Sequence, residues 1–205
     1  AALTSRIAEL EIEIQIEKQI DEQIELKDRL RDYDIYAFGC IVTGYKLMKE
    51  LAKTIREVSP DATIICGNTV GSSIPKVVMK NTEVDLIVMG EGDITMVELL
   101  KHQKLLPLEV EGIFGTQPRP YIEDISSLPH INWSLFNIES YIEKNKWCIP
   151  EPYPIPFEEL RVMPINSARG CTNRCTFCYH AFQGSHYRYR SVESLSKELD
   201  YLQQN

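Results

Sequence analysis

The sequence predicts an α/β protein, a doubly wound parallel-sheet domain followed by a shorter strand–loop–helix unit. Three observations carry that expectation. Between Asp34 and Gln103 short, nearly continuous apolar runs alternate with helix-like stretches, the pattern of a parallel sheet covered by helices on both faces. Three of those runs end in glycine-bearing turns, Gly39-Cys40, Gly67-Asn68 and Gly90-Glu91-Gly92. Farther on, a loop led by Gly170 places Cys171, Cys175 and Cys178 in a C-x3-C-x2-C pattern between an apolar run and a helix.

Taken in order, residues 1–9 read as the tail of a helix, and Leu10–Ile16 alternates with the period of a half-buried strand. From Glu17 to Arg31 the apolar positions change to near-helical spacing, with charged and amide residues between them. Asp34–Val42 is the first mostly apolar run, and a helix is expected from Tyr45 to Val58, stopping at Ser59-Pro60. Ala62–Cys66 is the next strand, Asn68–Ser73 a loop, and Pro75 fits the first turn of the helix that follows. Asp85–Met89 is a further buried strand, and Ile94 to about Gln103 a further helix.

The alternation then breaks. Gly112–Gly115 and Arg119–Ile122 resemble the arms of a small hairpin, and the five prolines of residues 148–164 describe an extended linker. Arg161–Ser167 is expected to be a strand leading into the cysteine loop. Ser191 is a candidate N-cap for a helix through Leu202, although Ser194 stands where a full capping box has Glu or Gln. The organisation expected is a first domain over 1–106, a hairpin and linker over 107–160, and the start of a second domain over 161–205.

Composition narrows the function classes. The chain of 205 residues is 43% hydrophobic, enough to build a core. No apolar run approaches the roughly 20 residues needed to span a bilayer, and Ala-Ala-Leu-Thr-Ser-Arg lacks a signal-peptide layout. A cytoplasmic location is expected, where cysteines are more often metal ligands than disulfides. The net charge of −8 argues against a general nucleic-acid binder. Residues 161–190 nevertheless hold five arginines (161, 169, 174, 188 and 190) and no acid. Such a patch either pairs with acids elsewhere or builds a basic pocket that favours thiolates and anions.

Two groups of residues carry candidate chemistry. In parallel α/β sheets ligands bind beyond the carboxyl ends of the strands, and glycine there lets a ligand approach the backbone. The same glycines also serve tight turns, so both readings stand. Three thiols within eight residues suit a metal far better than packing. Iron–sulfur clusters are held by cysteine thiolates, usually four; a loop with three leaves one iron open to a substrate. A structural zinc site with His180 or His186 as fourth ligand is the alternative, although zinc ligands more often come as two separated pairs. His102 and His130 show no partner pattern.

At this point the residues carry a resemblance. Arg169-Gly170-Cys171-Thr172-Asn173-Arg174-Cys175-Thr176-Phe177-Cys178-Tyr179 resembles the cluster motif of the radical S-adenosylmethionine (SAM) enzymes. Asp85–Gly92 resembles the D-x-x-V-x-G-E-G turn of the cobalamin-binding domain that precedes this motif in one large subgroup. Ile125–Tyr141, with its Trp-x-x-Phe-x-Ile-x-x-Tyr, resembles that subgroup's connecting segment.

The resemblance implies a Rossmann-like, cobalamin-binding domain followed by the first unit of a radical SAM partial barrel. Cys171, Cys175 and Cys178 would ligate a [4Fe-4S] cluster whose fourth iron chelates SAM. Reductive cleavage would then give a 5′-deoxyadenosyl radical, the cofactor carrying the difficult step. Phe177 and Tyr179 would flank the adenine. Gly39, Cys40, Thr43, Gly67, Asn68, Gly90, Glu91 and Gly92 would lie near cobalamin. The activity implied is methylation of an unactivated carbon in a small-molecule substrate, with a flavodoxin or ferredoxin as electron donor and neither nucleic acid nor membrane as partner.

The chain also departs from that family. It has no Asp-x-His-x-x-Gly stretch, the usual mark of a histidine lower ligand to cobalamin, and little of the family's first strand and helix is visible before Leu10. A single strand–loop–helix unit stands where a barrel needs several, so a piece of a longer protein is expected. A cyclase or rearrangement enzyme with a non-methylating cobalamin domain is a second reading. A methylthiotransferase is a third, but Cys40, Cys66 and Cys148 are not spaced as its second cluster set. A zinc-holding structural module is the non-enzyme reading.

Overall fold

The computed structural model describes residues 26–31, 33–101, 110–173, 175–178 and 187–204. The strand expected at Leu10–Ile16 and most of the stretch Glu17–Arg31 lie outside these residues, as do Arg174, Tyr179, His180 and His186; residues 26–29 are helical. The chain divides into two compact units, one holding the described residues 26–122 and the other the described residues 123–204. Among the described residues no helix is long and apolar enough to cross a membrane.

The first unit is built on strands β1 (Ile35–Gly39), β2 (Thr63–Gly67) and β3 (Leu86–Ile87). They are parallel, in the order β1-β2-β3, with Ile35 opposite Thr63, Gly39 opposite Gly67, and Cys66 opposite Ile87. The period-two geometry of a strand splits their side chains between two faces. Tyr36, Phe38, Ile64, Cys66 and Ile87 join one buried cluster, and Ile65, Leu86 and Val88 join another. The unbroken apolar runs follow from this: a strand buried on both faces has no side to leave polar.

Helix α1 (Tyr45–Val58) covers the first face with Met48, Leu51, Ala52 and Ile55, the i, i+3, i+4, i+7 spacing of an amphipathic helix. It starts and stops where the sequence places it. Arg56 near its end donates to the Pro60 and Ala62 carbonyls at 2.8 Å and pairs with Asp85 at 2.6 Å. Asp85 in turn accepts the Ile64 N–H at 2.7 Å, which ties the entries of β2 and β3 together. On the other face lies α4 (Asp93–Lys101), whose Leu99 packs with Val110 and Ile113.

Two expectations in this unit are corrected. Asn68–Ser73 is a short helix, α2, rather than a loop, and α3 (Pro75–Asn81) follows with its proline in the first turn. Asn, Thr, Gly and Ser favour turns locally, but burial of Val70 and Gly71 against the sheet overrides that preference; a Cβ on Gly71 would lie 3.2 Å from Ile87. The hairpin expected over 112–122 is instead a turn docked on the edge of β3. Ile113 forms an antiparallel bridge with Val88, and the Met89 N–H donates to the Gly112 carbonyl at 2.7 Å.

The second unit is held mainly by caps and aromatic contacts. Asp124, Asn132 and Asn137 accept backbone N–H bonds that open two 3-10 turns and helix α5 (Ile138–Asn145). In the proline-rich segment Trp147 and Tyr153 pack on Phe157 at 4.6 and 5.2 Å between ring centroids. The strand expected at Arg161–Ser167 is a third correction. Residues 161–167 have no regular structure, and pairing is confined to β4 (Ala168–Arg169) against β5 (Arg188–Tyr189), antiparallel. Pro164 has no N–H to give a ladder, which limits strand formation before it. Helix α6 (Val192–Gln204) then starts with Ser191 as its cap, the Ser191 hydroxyl accepting the Ser194 N–H at 3.1 Å.

Candidate functional site

The parallel sheet brings the predicted glycine turns to one edge. The Cys40 N–H donates to the Gly67 carbonyl at 3.3 Å, and the Val70 N–H to the Cys40 carbonyl at 3.1 Å. Asn68 holds φ +64, a left-handed conformation uncommon outside glycine, and its Oδ1 accepts the Thr69 N–H at 2.7 Å. The third turn is tied to the second by Ser72, whose hydroxyl accepts the Gly90 N–H at 3.2 Å. Ser72 escaped the sequence reading; its only signal was a hydroxyl at the end of the α2 segment.

Beside these turns the edge is apolar and open. Ile41 is exposed, Val42 is 78% exposed, and Thr43 sits exposed in the 3-10 turn Val42–Gly44. Two of the predicted residues face the protein with their side chains. The Cys40 thiol is buried and donates to the Ile41 carbonyl at 3.3 Å. Glu91 accepts the Ile122 N–H on Oε2 at 3.0 Å, so its carboxylate anchors the outgoing chain. Gly92 caps α4 through the Met96 N–H at 2.8 Å. Burial, with Cys40 as a second contribution, pushes the neighbouring Cys66 thiol up to about 12, which leaves it protonated and unreactive.

The cysteine loop leaves β4 through Gly170, at φ +89, where a side chain would be strained. Cys171 and Cys178 are exposed and Cys175 is half-buried, all as free thiols. The Asn173 N–H points at the Cys171 sulfur at 3.4 Å, and the Cys178 N–H donates to the Cys175 carbonyl at 3.1 Å. Phe177, between the last two cysteines, is 91% exposed. Among the described residues no three His, Cys, Asp or Glu side chains converge on a single metal ion. The donor chemistry, soft sulfur ligands on one short loop with a backbone N–H directed at one of them, fits a thiolate-bound metal group.

Two arginines of the patch pair with acids. Arg161 forks onto the Glu139 carboxylate at 2.8 and 3.1 Å, and Arg190 pairs with Glu198. The guanidinium of Arg161 holds the Glu139 carboxyl below its usual range. These two arginines therefore follow the pairing alternative.

The fold and the loop define an α/β protein with glycine turns at one edge of a three-stranded parallel sheet and a three-thiol candidate metal loop. Several of its relatives are enzymes by name. The chain is 28% identical over 193 residues to the anaerobic magnesium-protoporphyrin IX monomethyl ester cyclase of Cereibacter sphaeroides, a match covering 86% of this chain and 29% of that protein. It is 26% identical over 181 residues to the cytidylyl-2-hydroxyethylphosphonate methyltransferase of Streptomyces wedmorensis, covering 73% and 33%. A cyclase of the first kind from Rubrivivax gelatinosus is 28% identical over 173 residues, covering 77% and 29%. The chain thus spans about a third or less of the length of these curated relatives. No protein-family model matches it.

Proposed function

We propose that this chain is part of a radical SAM enzyme that uses cobalamin to methylate an unactivated carbon of a small-molecule substrate. The observation that carries the reading is the Cys171-Cys175-Cys178 loop, three free thiols in the family's spacing, two of them exposed, entered through a glycine with positive φ. Similarity to a methyltransferase over 73% of the chain supports methyl transfer. The group these thiols hold supplies one electron for cleaving SAM, and cobalamin supplies the methyl group.

The chain's own contribution is to bind and orient. Cys171, Cys175 and Cys178 hold the cluster, with the Asn173 N–H stabilising charge on the Cys171 sulfur. Phe177 and Tyr179 flank the adenine. At the sheet edge Gly39, Gly67, Gly90 and Gly92 let cobalamin approach the backbone, with Asn68 and Thr43 offering polar contacts. Cys40 and Glu91 contribute main chain, since their side chains are turned to the protein. A flavodoxin or ferredoxin delivers the electron. Similarity to two cyclases favours a second reading, in which the radical step closes a ring without methyl transfer.

Anaerobic reconstitution of the full-length protein tests the proposal. About four irons per chain are expected, with an electron paramagnetic resonance signal that changes when SAM is added. One zinc and no iron refutes the radical reading. Retention of hydroxocobalamin through desalting separates a cobalamin enzyme from one whose sheet binds nothing.

A further inference from the structure

The most buried positions of helix α6 are polar, although Leu195 and Leu202 are half-buried on the same side. The helix buries Ser194 and Glu198, Glu198 being only 3% exposed, while Val192 and Leu199 stand 80% and 51% exposed. A charge is buried at a cost unless it is paired and hydrogen-bonded, and an apolar pair in place of both Arg190 and Glu198 would serve stability as well or better. What occupies the buried face is a fan of bonds from one side chain. Arg190 pairs with Glu198, donates from Nη2 to the Ser194 hydroxyl at 2.9 Å and the Ser194 carbonyl at 3.1 Å, and reaches the Asn166 carbonyl from Nη1 at 3.2 Å. Its backbone N–H donates to the Ser167 carbonyl at 2.9 Å.

Asn166 and Ser167 lie directly before β4, which runs through Gly170 into Cys171. We infer that Arg190, held by Glu198 and Ser194, is a positioning residue that tethers the strand carrying the cysteine loop to α6 and so sets the loop's geometry for its cluster. This rests on the cluster reading above. The segment 161–167 has no regular structure and the β4–β5 ladder that follows it is two residues long, so the tether adds a restraint just before the point where that short ladder begins. Only a guanidinium can do this, because its donors diverge in one plane toward several acceptors at once, whereas a lysine is a single point charge.

The test uses the full-length protein in three forms: wild type, Arg190→Lys, and the double variant Arg190→Met/Glu198→Met. Lysine preserves the ion pair and loses the fan; the double variant removes both charges at similar volume, which keeps the fold. Two readouts are taken: hydrogen exchange of residues 166–170 in the metal-free protein, and release of iron from the reconstituted protein to a chelator. Both variants are expected to exchange faster at 166–170 with α6 still protected, and to release iron roughly 10–100-fold faster, as loss of an outer-shell support does. A role in stability alone predicts rescue by lysine, and wild-type exchange and release in Arg190→Lys overturn the inference. Faster exchange with unchanged iron release overturns it too. A wild type that takes up no iron overturns the functional reading, and this inference with it. If the double variant does not fold, Arg190→Lys alone decides.

Discussion

Replacing Gly112 by alanine tests how the first unit closes the edge of its sheet. Gly112 has φ +86, and a Cβ there would lie 2.5 Å from the Thr95 hydroxyl and 3.2 Å from Arg119. Neither neighbour can move cheaply. Thr95 is fully buried and donates to the Glu111 carbonyl at 3.1 Å, and Arg119 donates to the Thr95 hydroxyl at 3.0 Å while pairing with Glu98. The left-handed backbone costs about 1 kcal/mol for alanine, and overpacking about 2 kcal/mol more. A loss of about 3 kcal/mol lowers the Tm of a chain this size by about 10 °C, at roughly 3 °C per kcal/mol. Differential scanning calorimetry of Gly112→Ala measures it. Combining the change with Thr95→Ser leaves the hydroxyl contact in place and should recover little, whereas Thr95→Ala should couple favourably by about 1 kcal/mol in a double-mutant cycle. A Tm within about 1 °C of wild type refutes the reasoning, since then neither the conformation nor the contact constrains this turn.

Cys175→Ala should abolish iron uptake on reconstitution, while Cys40→Ala retains it, because Cys40 is buried in the sheet; loss in both variants revives the methylthiotransferase reading. At Asn68, with φ +64, Asn68→Gly should leave the urea midpoint nearly unchanged and Asn68→Ala should lower stability by about 1 kcal/mol. The Cys66 thiol has its pKa raised from an ordinary 9.0 to about 12. The unfolded chain therefore loses this proton first, and the stability it contributes is complete below pH 9 and is lost as pH rises from 9 to about 12. Thermal melting across that range checks the sign. Mass-spectrometric labelling at pH 8 should modify exposed Cys148 and spare Cys66 until unfolding.

What could be read from the sequence was whatever a local pattern encodes. Helix α1 was legible because its apolar spacing is uninterrupted and Ser59-Pro60 ends it. Helix α6 was legible because a serine cap precedes it, and that cap is made. The face α6 buries is only partly legible, since its apolar positions are Val192, Leu195, Leu199 and Leu202, and the structure half-buries Leu195 and Leu202 while burying Ser194 and Glu198 more deeply. Strands were found where both faces are covered, and misplaced at Arg161–Ser167, where no strand among the described residues pairs.

The sequence by itself determined the alternation of strand and helix, the three glycine turns and the spacing of three thiols, because each is a property of neighbouring residues. The tertiary structure alone decided which side chains those features present. It turned the Cys40 thiol inward, spent the Glu91 carboxylate on a backbone N–H, folded a polar turn segment into α2 against Ile87, and brought Arg190 to Asn166 across 24 residues. Such pairings depend on contacts between segments distant in the chain, and a buried polar group takes whichever partner the fold places beside it.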